Sequence, residues 1–166
     1  MKRPLLAALA AGVALTALAA PSAASASASV QNGIDVRTSK ISYLQYPQTG
    51  KARAQLRNIT VTWRRDRVEK QVWVTVTAQL RDSGPGDGHC ARMTLSADDG
   101  YFADFRETTA KECNGVWQTR SLATAPGNFE EPGSYGATKL ILRTNPNGSG
   151  TYWGLKNPWA PNSGNR

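Results

Sequence analysis

The sequence predicts an all-β domain: a single antiparallel sandwich of seven or eight strands, immunoglobulin-like or jelly-roll-like in its connections. Three observations carry that expectation. Apolar and polar residues alternate with period two through much of residues 40–144. Gly, Pro, Asn and Asp interrupt these stretches at short intervals, as turns between strands require. No stretch carries the sustained i, i+3, i+4 apolar stripe with capping residues that marks an amphipathic helix.

Lys40 to Tyr46 is the first strand expected, and it ends at Pro47, Thr49 and Gly50. Lys51 to Arg57 follows, with Ala52, Ala54 and Leu56 on one face and Lys51, Arg53, Gln55 and Arg57 on the other. Beyond Arg57 the apolar phase slips by one residue, to Ile59, Val61 and Trp63. Such a slip turns later side chains to the wrong face unless an extra residue is looped out, so a β-bulge is predicted here. Val72, Val74, Val76, Ala78 and Leu80 form the clearest strand, and the polar segment Arg64 to Lys70 makes the pair a hairpin with a charged end.

Asp82 to Gly88 reads as a loop. Ala91, Met93, Leu95 and Ala97 form another strand, closed by an Asp98-Asp99-Gly100 turn. Strands are expected at Tyr101 to Arg106 and Val116 to Leu122, with room for a short helix at Thr108 to Glu112. Ala123 to Gly136 is a Gly/Pro-rich loop, and Ala137 to Thr144 the last strand. Residues 145–166, rich in Gly, Asn, Pro and aromatics, form a tail that packs on the domain.

The beginning of the chain is an address. Lys2 and Arg3 precede an apolar run from Leu5 to Ala20, and Ala-x-Ala patterns follow at Ala24-Ser25-Ala26 and Ala26-Ser27-Ala28. A basic start, a short apolar stretch and small residues at a cleavage point make a secretory signal peptide. Residues 1–28 are assigned to it and 29–166 to the domain, which leaves 138 residues after removal. The run is too short and Ala-rich for a membrane span of about 20 residues. The expected product is a secreted, extracellular monomer.

Cys90 and Cys113 are the two cysteines, and in an oxidising compartment they are expected to form a disulfide. With one His in the chain there are too few ligands for a closed tetrahedral zinc site without carboxylates, and no cofactor or metal is expected.

Composition narrows function only to classes. Removing Lys2 and Arg3 leaves 18 bases against 12 acids, a net +6. Residues 51–70 carry seven bases and two acids, whereas 98–112 carry five acids and two bases. A focused basic surface attracts polyanions, so Lys51, Arg53, Arg57, Arg64, Arg65 and Arg67 are the candidate anion-binding residues. On the hairpin face opposite the Val residues, Thr60, Thr62, Trp73, Thr75 and Thr77 would form a hydroxyl surface with one aromatic platform, suited to carbohydrate. Tyr152, Trp153 and Trp159 either staple the tail down or face a ligand.

Enzyme signatures are poor. His89 would have to serve any triad or an acid–base pair with Glu107 or Glu112, and no Gly-x-Ser-x-Gly is present. Carboxylate pairs for glycoside hydrolysis could be drawn from Asp98, Asp99, Asp104, Glu107, Glu130 and Glu131. The acids around Gly100 miss the spacing of a calcium loop. Asn58-Ile59-Thr60 and Asn147-Gly148-Ser149 match the glycan-acceptor pattern. The reading is a non-catalytic binding protein whose partner is a cell-wall polymer, a polysaccharide or a secreted or surface protein. Alternatives are an effector or inhibitor docking on a protein, or a small extracellular nuclease or glycosidase.

Overall fold

The hydrophobic alternation folds into two antiparallel sheets around one core. The computed structural model describes residues 27–31, 33–98, 105–128, 138–145 and 149–160. Ten strands occur among them: β1 (Ser27–Gln31), β2 (Ile34–Tyr46), β3 (Ala54–Asp66), β4 (Gln71–Asp82), β5 (Ala91–Asp98), β6 (Phe105–Glu112), β7 (Gln118–Ala123), β8 (Gly127–Asn128), β9 (Thr138–Arg143) and β10 (Thr151–Leu155). The larger sheet runs β1-β2-β3-β4-β7, with β8 added to the end of β4; the smaller runs β10-β9-β5-β6.

Alternate residues of both sheets meet in one apolar cluster. Leu56, Ile59, Val61, Val72, Val74, Val76 and Leu80 from the larger sheet pack with Met93, Leu95, Leu140 and Leu142 from the smaller, all essentially inaccessible. Each buried side chain of this size contributes about 1.5–3 kcal/mol relative to exposure, which makes this cluster the main stabilising element.

The phase slip after Arg57 is a bulge. Arg57 pairs with Gln79 and Thr60 with Thr77, so Asn58 and Ile59 stand opposite Ala78 alone. Asn58 takes the extra residue's left-handed conformation, φ 53°, which Asn tolerates better than most residues. Leu56 before it and Ile59, Val61 and Trp63 after it therefore all reach the same core. At the far end of this hairpin Asp66 Oδ1 accepts the N–H groups of Val68 (2.8 Å) and Glu69 (3.0 Å), a side-chain-capped turn.

Several elements differ from the sequence expectation. Thr108 to Glu112 is strand rather than helix, because Thr108, Thr109 and their neighbours pair with β5 over its whole length. The tail contributes β10, paired with β9 from Thr151 to Leu155. β3 begins at Ala54, so Lys51 and Arg53 lie in the preceding loop. β2 starts six residues earlier than expected, at Ile34, and β1 pairs with it through Ser27↔Thr38 to Gln31↔Ile34. The leader up to residue 26, the Asp99-Gly100 turn, residues 101–104, the greater part of the loop expected over 123–136, Asn147 and the last six residues lie outside the described residues.

Cys90 and Cys113 are joined, with Cα atoms 4.5 Å apart. They continue the register of Ala91↔Glu112 and close the open end of the β5–β6 hairpin. The bridge fits a protein of an oxidising, extracellular setting.

Candidate functional site

Across the larger sheet the residues that point away from the core line up in rows, because each strand's alternation is locked to its neighbour's by register. One row reads Thr38, Thr62, Thr75 and Ala123; the next reads Lys40, Thr60, Thr77 and Ser121. Val36, Arg64 and Trp73 flank these on one side, and Tyr43, Arg57, Gln79 and Thr119 on the other. Neighbouring hydroxyls are spaced about 4.8 Å across strands and about 6.7 Å along them. From the Trp73 row to the Gln79 row is about 20 Å.

Hydrogen bonds fix several side chains of this face. Thr77 Oγ1 and Ser121 Oγ are 3.0 Å apart, and Arg64 Nη1 donates to Thr75 Oγ1 at 3.4 Å. Arg57 Nε donates to Gln79 Oε1 at 2.7 Å, and Asn58 Nδ2 to the same oxygen at 3.3 Å. The Arg57 guanidinium lies 4.1 Å over the Trp117 ring, with Arg81 at 5.8 Å. Trp117 thus holds Arg57 against the sheet by cation–π attraction. Trp73 is half-buried beside Arg64, and Thr60, Thr62, Thr75 and Thr77 are half-buried too, open enough to contact a ligand without a change of fold.

Between the Arg64–Trp73 row and the Gln55–Arg81 row this face carries Lys40, Arg57, Arg64 and Arg81 and, among the described residues, no acid. It is a hydroxylated, positively charged surface.

No protein family, curated protein or solved structure matches this chain.

The six bases singled out in the sequence do not form one row. Lys51 and Arg53 are exposed in the loop before β3, where Arg53 N donates to Tyr46 O and Arg53 O accepts from Ser83 N, both at 2.8 Å. Arg57 and Arg64 belong to the hydroxylated face with Thr60, Thr62, Trp73, Thr75 and Thr77. Arg65 and Arg67 are elsewhere, against Asp35. The bulge is the cause: odd-numbered residues of β3 point outward before Asn58 and inward after it.

Asp35 is almost buried and accepts from both arginines: Arg65 Nη2 at 2.6 Å, Arg67 Nε at 2.8 Å and Arg67 Nη2 at 3.0 Å. Hydrogen bonds from Arg67 and then Arg65 hold its carboxyl below the ordinary carboxylate range, against the opposing cost of desolvation. A carboxyl with a depressed folded value binds fewer protons folded than unfolded, so its stabilisation is complete above about pH 4 and is lost as pH falls below it. Denaturant midpoints of the protein and of Asp35→Asn should therefore differ at pH 7 and converge as pH falls below about 4. A gap independent of pH would contradict this.

The remaining candidates are dispersed. His89 is exposed, its N–H donating to Asp87 Oδ1 at 2.9 Å. Glu112, a potential partner for it, is buried and receives Cys113 N, Asn114 N and Arg120 Nη2 instead. No group of three His, Cys, Asp or Glu that could hold a metal occurs among the described residues. Asp99, Asp104, Glu130 and Glu131 lie outside them. Of the tail aromatics, Trp159 packs against the core, whereas Tyr152 and Trp153 are exposed in β10. Asn58 is exposed at the bulge.

Sequence reasoning missed Thr38, Lys40, Trp117, Ser121 and Asp35 as site neighbours. For β2 the signal was weak, since Asp35, Arg37 and Ser39 on one face and Val36, Thr38 and Lys40 on the other show no apolar period. For Ser121, alternation with Leu122 in the expected strand was available.

Proposed function

We propose that this is an exported, monomeric, non-catalytic β-sandwich protein that binds an extended anionic polysaccharide, such as an acidic cell-surface or wall polymer, on the outer face of its larger sheet. The observation that carries the reading is a face that holds no acid among the described residues and on which rows of Thr and Ser lie between Trp73 and the Arg57–Trp117 stack. Sugar hydroxyls exchange hydrogen bonds with Thr and Ser, and an apolar sugar face packs on Trp73. Lys40, Arg57, Arg64 and Arg81 supply the attraction for acidic groups. The extent of the face, about 20 Å from the Trp73 row to the Gln79 row, suits a chain laid across it better than a small molecule. Two sheets sharing one core support the sandwich reading.

The test is affinity electrophoresis of the purified mature protein in gels containing a polyuronate or a neutral glucan. Retardation is expected with the polyuronate, weakening as salt screens the basic groups. Trp73→Ala should lower the affinity about tenfold. Arg64→Gln should reduce both affinity and its salt dependence, with the melting midpoint unchanged. Equal migration of the protein and Trp73→Ala in polyuronate would defeat the proposal.

A further inference from the structure

The inner face of the larger sheet extends past the smaller one at β1 and the start of β2, and a cleft of about 310 Å³ forms there. Its walls are Val30 of β1, Arg37 of β2, the Asp35–Arg65–Arg67 group and the Trp159 ring. This volume is at the lower end of small-molecule sites. Most of its lining is on the opposite phase of β2 and β3 from the hydroxylated face; Val36, at the edge of that face, also borders it.

Charge decides what would enter. Three guanidinium groups line the cleft against one carboxylate, leaving a net +2. Asp35 is already satisfied: Arg65 and Arg67 each direct two N–H groups at it. It holds the two guanidinium planes in fixed positions, and Arg65 is also stacked 4.9 Å from Trp159. The Arg67 side chain nevertheless remains 64% exposed, so its other edge is accessible to a ligand. Arg37 is exposed on the same wall. Beside these donors Val30 is 73% exposed, an apolar surface that a ligand body could cover.

We propose that this cleft binds a small phosphate monoester, its head on Arg37 and Arg67 and its apolar body between Val30 and Trp159. A phosphate monoester carries about −1.5 to −2 charges, which matches the excess, whereas a carboxylate leaves half of it uncompensated. Planar guanidinium donors hydrogen-bond phosphate oxygens in pairs. The proposal is independent of polysaccharide binding, which uses other residues.

Titration of the mature protein with phenyl phosphate, benzoate, inorganic phosphate and phenol, followed by the arginine Nε–Hε NMR signals, tests it. Phenyl phosphate should shift the Arg37 and Arg67 signals and bind about tenfold more tightly than benzoate or inorganic phosphate, and phenol should not bind. Arg37→Gln, which removes no contact to Asp35, should weaken phenyl phosphate about tenfold at an unchanged melting midpoint. Trp159→Leu should weaken phenyl phosphate and leave inorganic phosphate as before. Absence of shifts up to about 10 mM phenyl phosphate would overturn the proposal, as would binding unaffected by Arg37→Gln. Equal affinity for phenyl phosphate and inorganic phosphate would overturn the role of the apolar wall.

Discussion

Replacing Cys90 and Cys113 together by Ser should lower the unfolding free energy by about 3.5 kcal/mol. The figure follows from loop-closure entropy: the bridge closes a segment with a sequence separation of 23. Its loss lets the unfolded chain explore conformations that the cross-link forbids. The native state should lose little, because both cysteines are only partly buried and the paired strands β5 and β6 keep their full ladder from Ala91↔Glu112 to Asp98↔Phe105. Against a typical total of about 5–15 kcal/mol this is a large share, so the variant should unfold at a markedly lower urea midpoint. Its slope against urea should be steeper, since the unlinked unfolded chain exposes more surface. Equal midpoints for the protein and the double variant would show that the bridge does not constrain the unfolded ensemble.

What could be read in the sequence, and what could not, follows from how local each signal is. Strands β3, β4, β5 and β9 were legible because one face of each is buried, and burial writes period two into the residues. The bulge at Asn58 was legible for the same reason, since the slip from Leu56 to Ile59 has no other explanation within one strand. β1 and the first half of β2 were not, because they extend beyond the smaller sheet and both of their faces are polar or exposed. β10 was hidden among Gly and Asn; its pairing is decided by β9, the strand just before it, and not by its own composition. The hydroxylated face was half visible: Thr60, Thr62, Thr75 and Thr77 could be assigned to one side of a hairpin. The additions of Thr38, Lys40 and Ser121 needed the strand order. The separation of Arg65 and Arg67 from Arg64 required only the bulge already inferred. Their engagement by Asp35, some thirty residues earlier, required the register of β2 on β3.

Glu112→Ala should be the most damaging of the polar substitutions, at about 2–3 kcal/mol. The side chain is only 2% exposed and stands where the chain leaves the smaller sheet for the larger one. Its Oε1 accepts Cys113 N at 3.1 Å and Asn114 N at 2.9 Å, and its Oε2 accepts Arg120 Nη2 of β7 at 2.9 Å. One carboxylate therefore caps the end of β6 and ties it to β7 in the other sheet. Alanine leaves the Cys113 N–H without its acceptor in a half-buried site, and removes a charge-assisted bond to Arg120. The loss stops short of that for a fully buried ion pair because the Arg120 side chain is 36% exposed and regains water. Glu112→Gln keeps one acceptor oxygen and should cost about 1 kcal/mol. Because Glu112 adjoins the Cys113 bridge, its removal and that of the disulfide should not add: both loosen the same corner, and a double-mutant cycle should give a coupling of about 1 kcal/mol. Urea titrations of the four species measure it. Strict additivity would mean that the carboxylate stabilises β6 and β7 independently of the covalent link beside it.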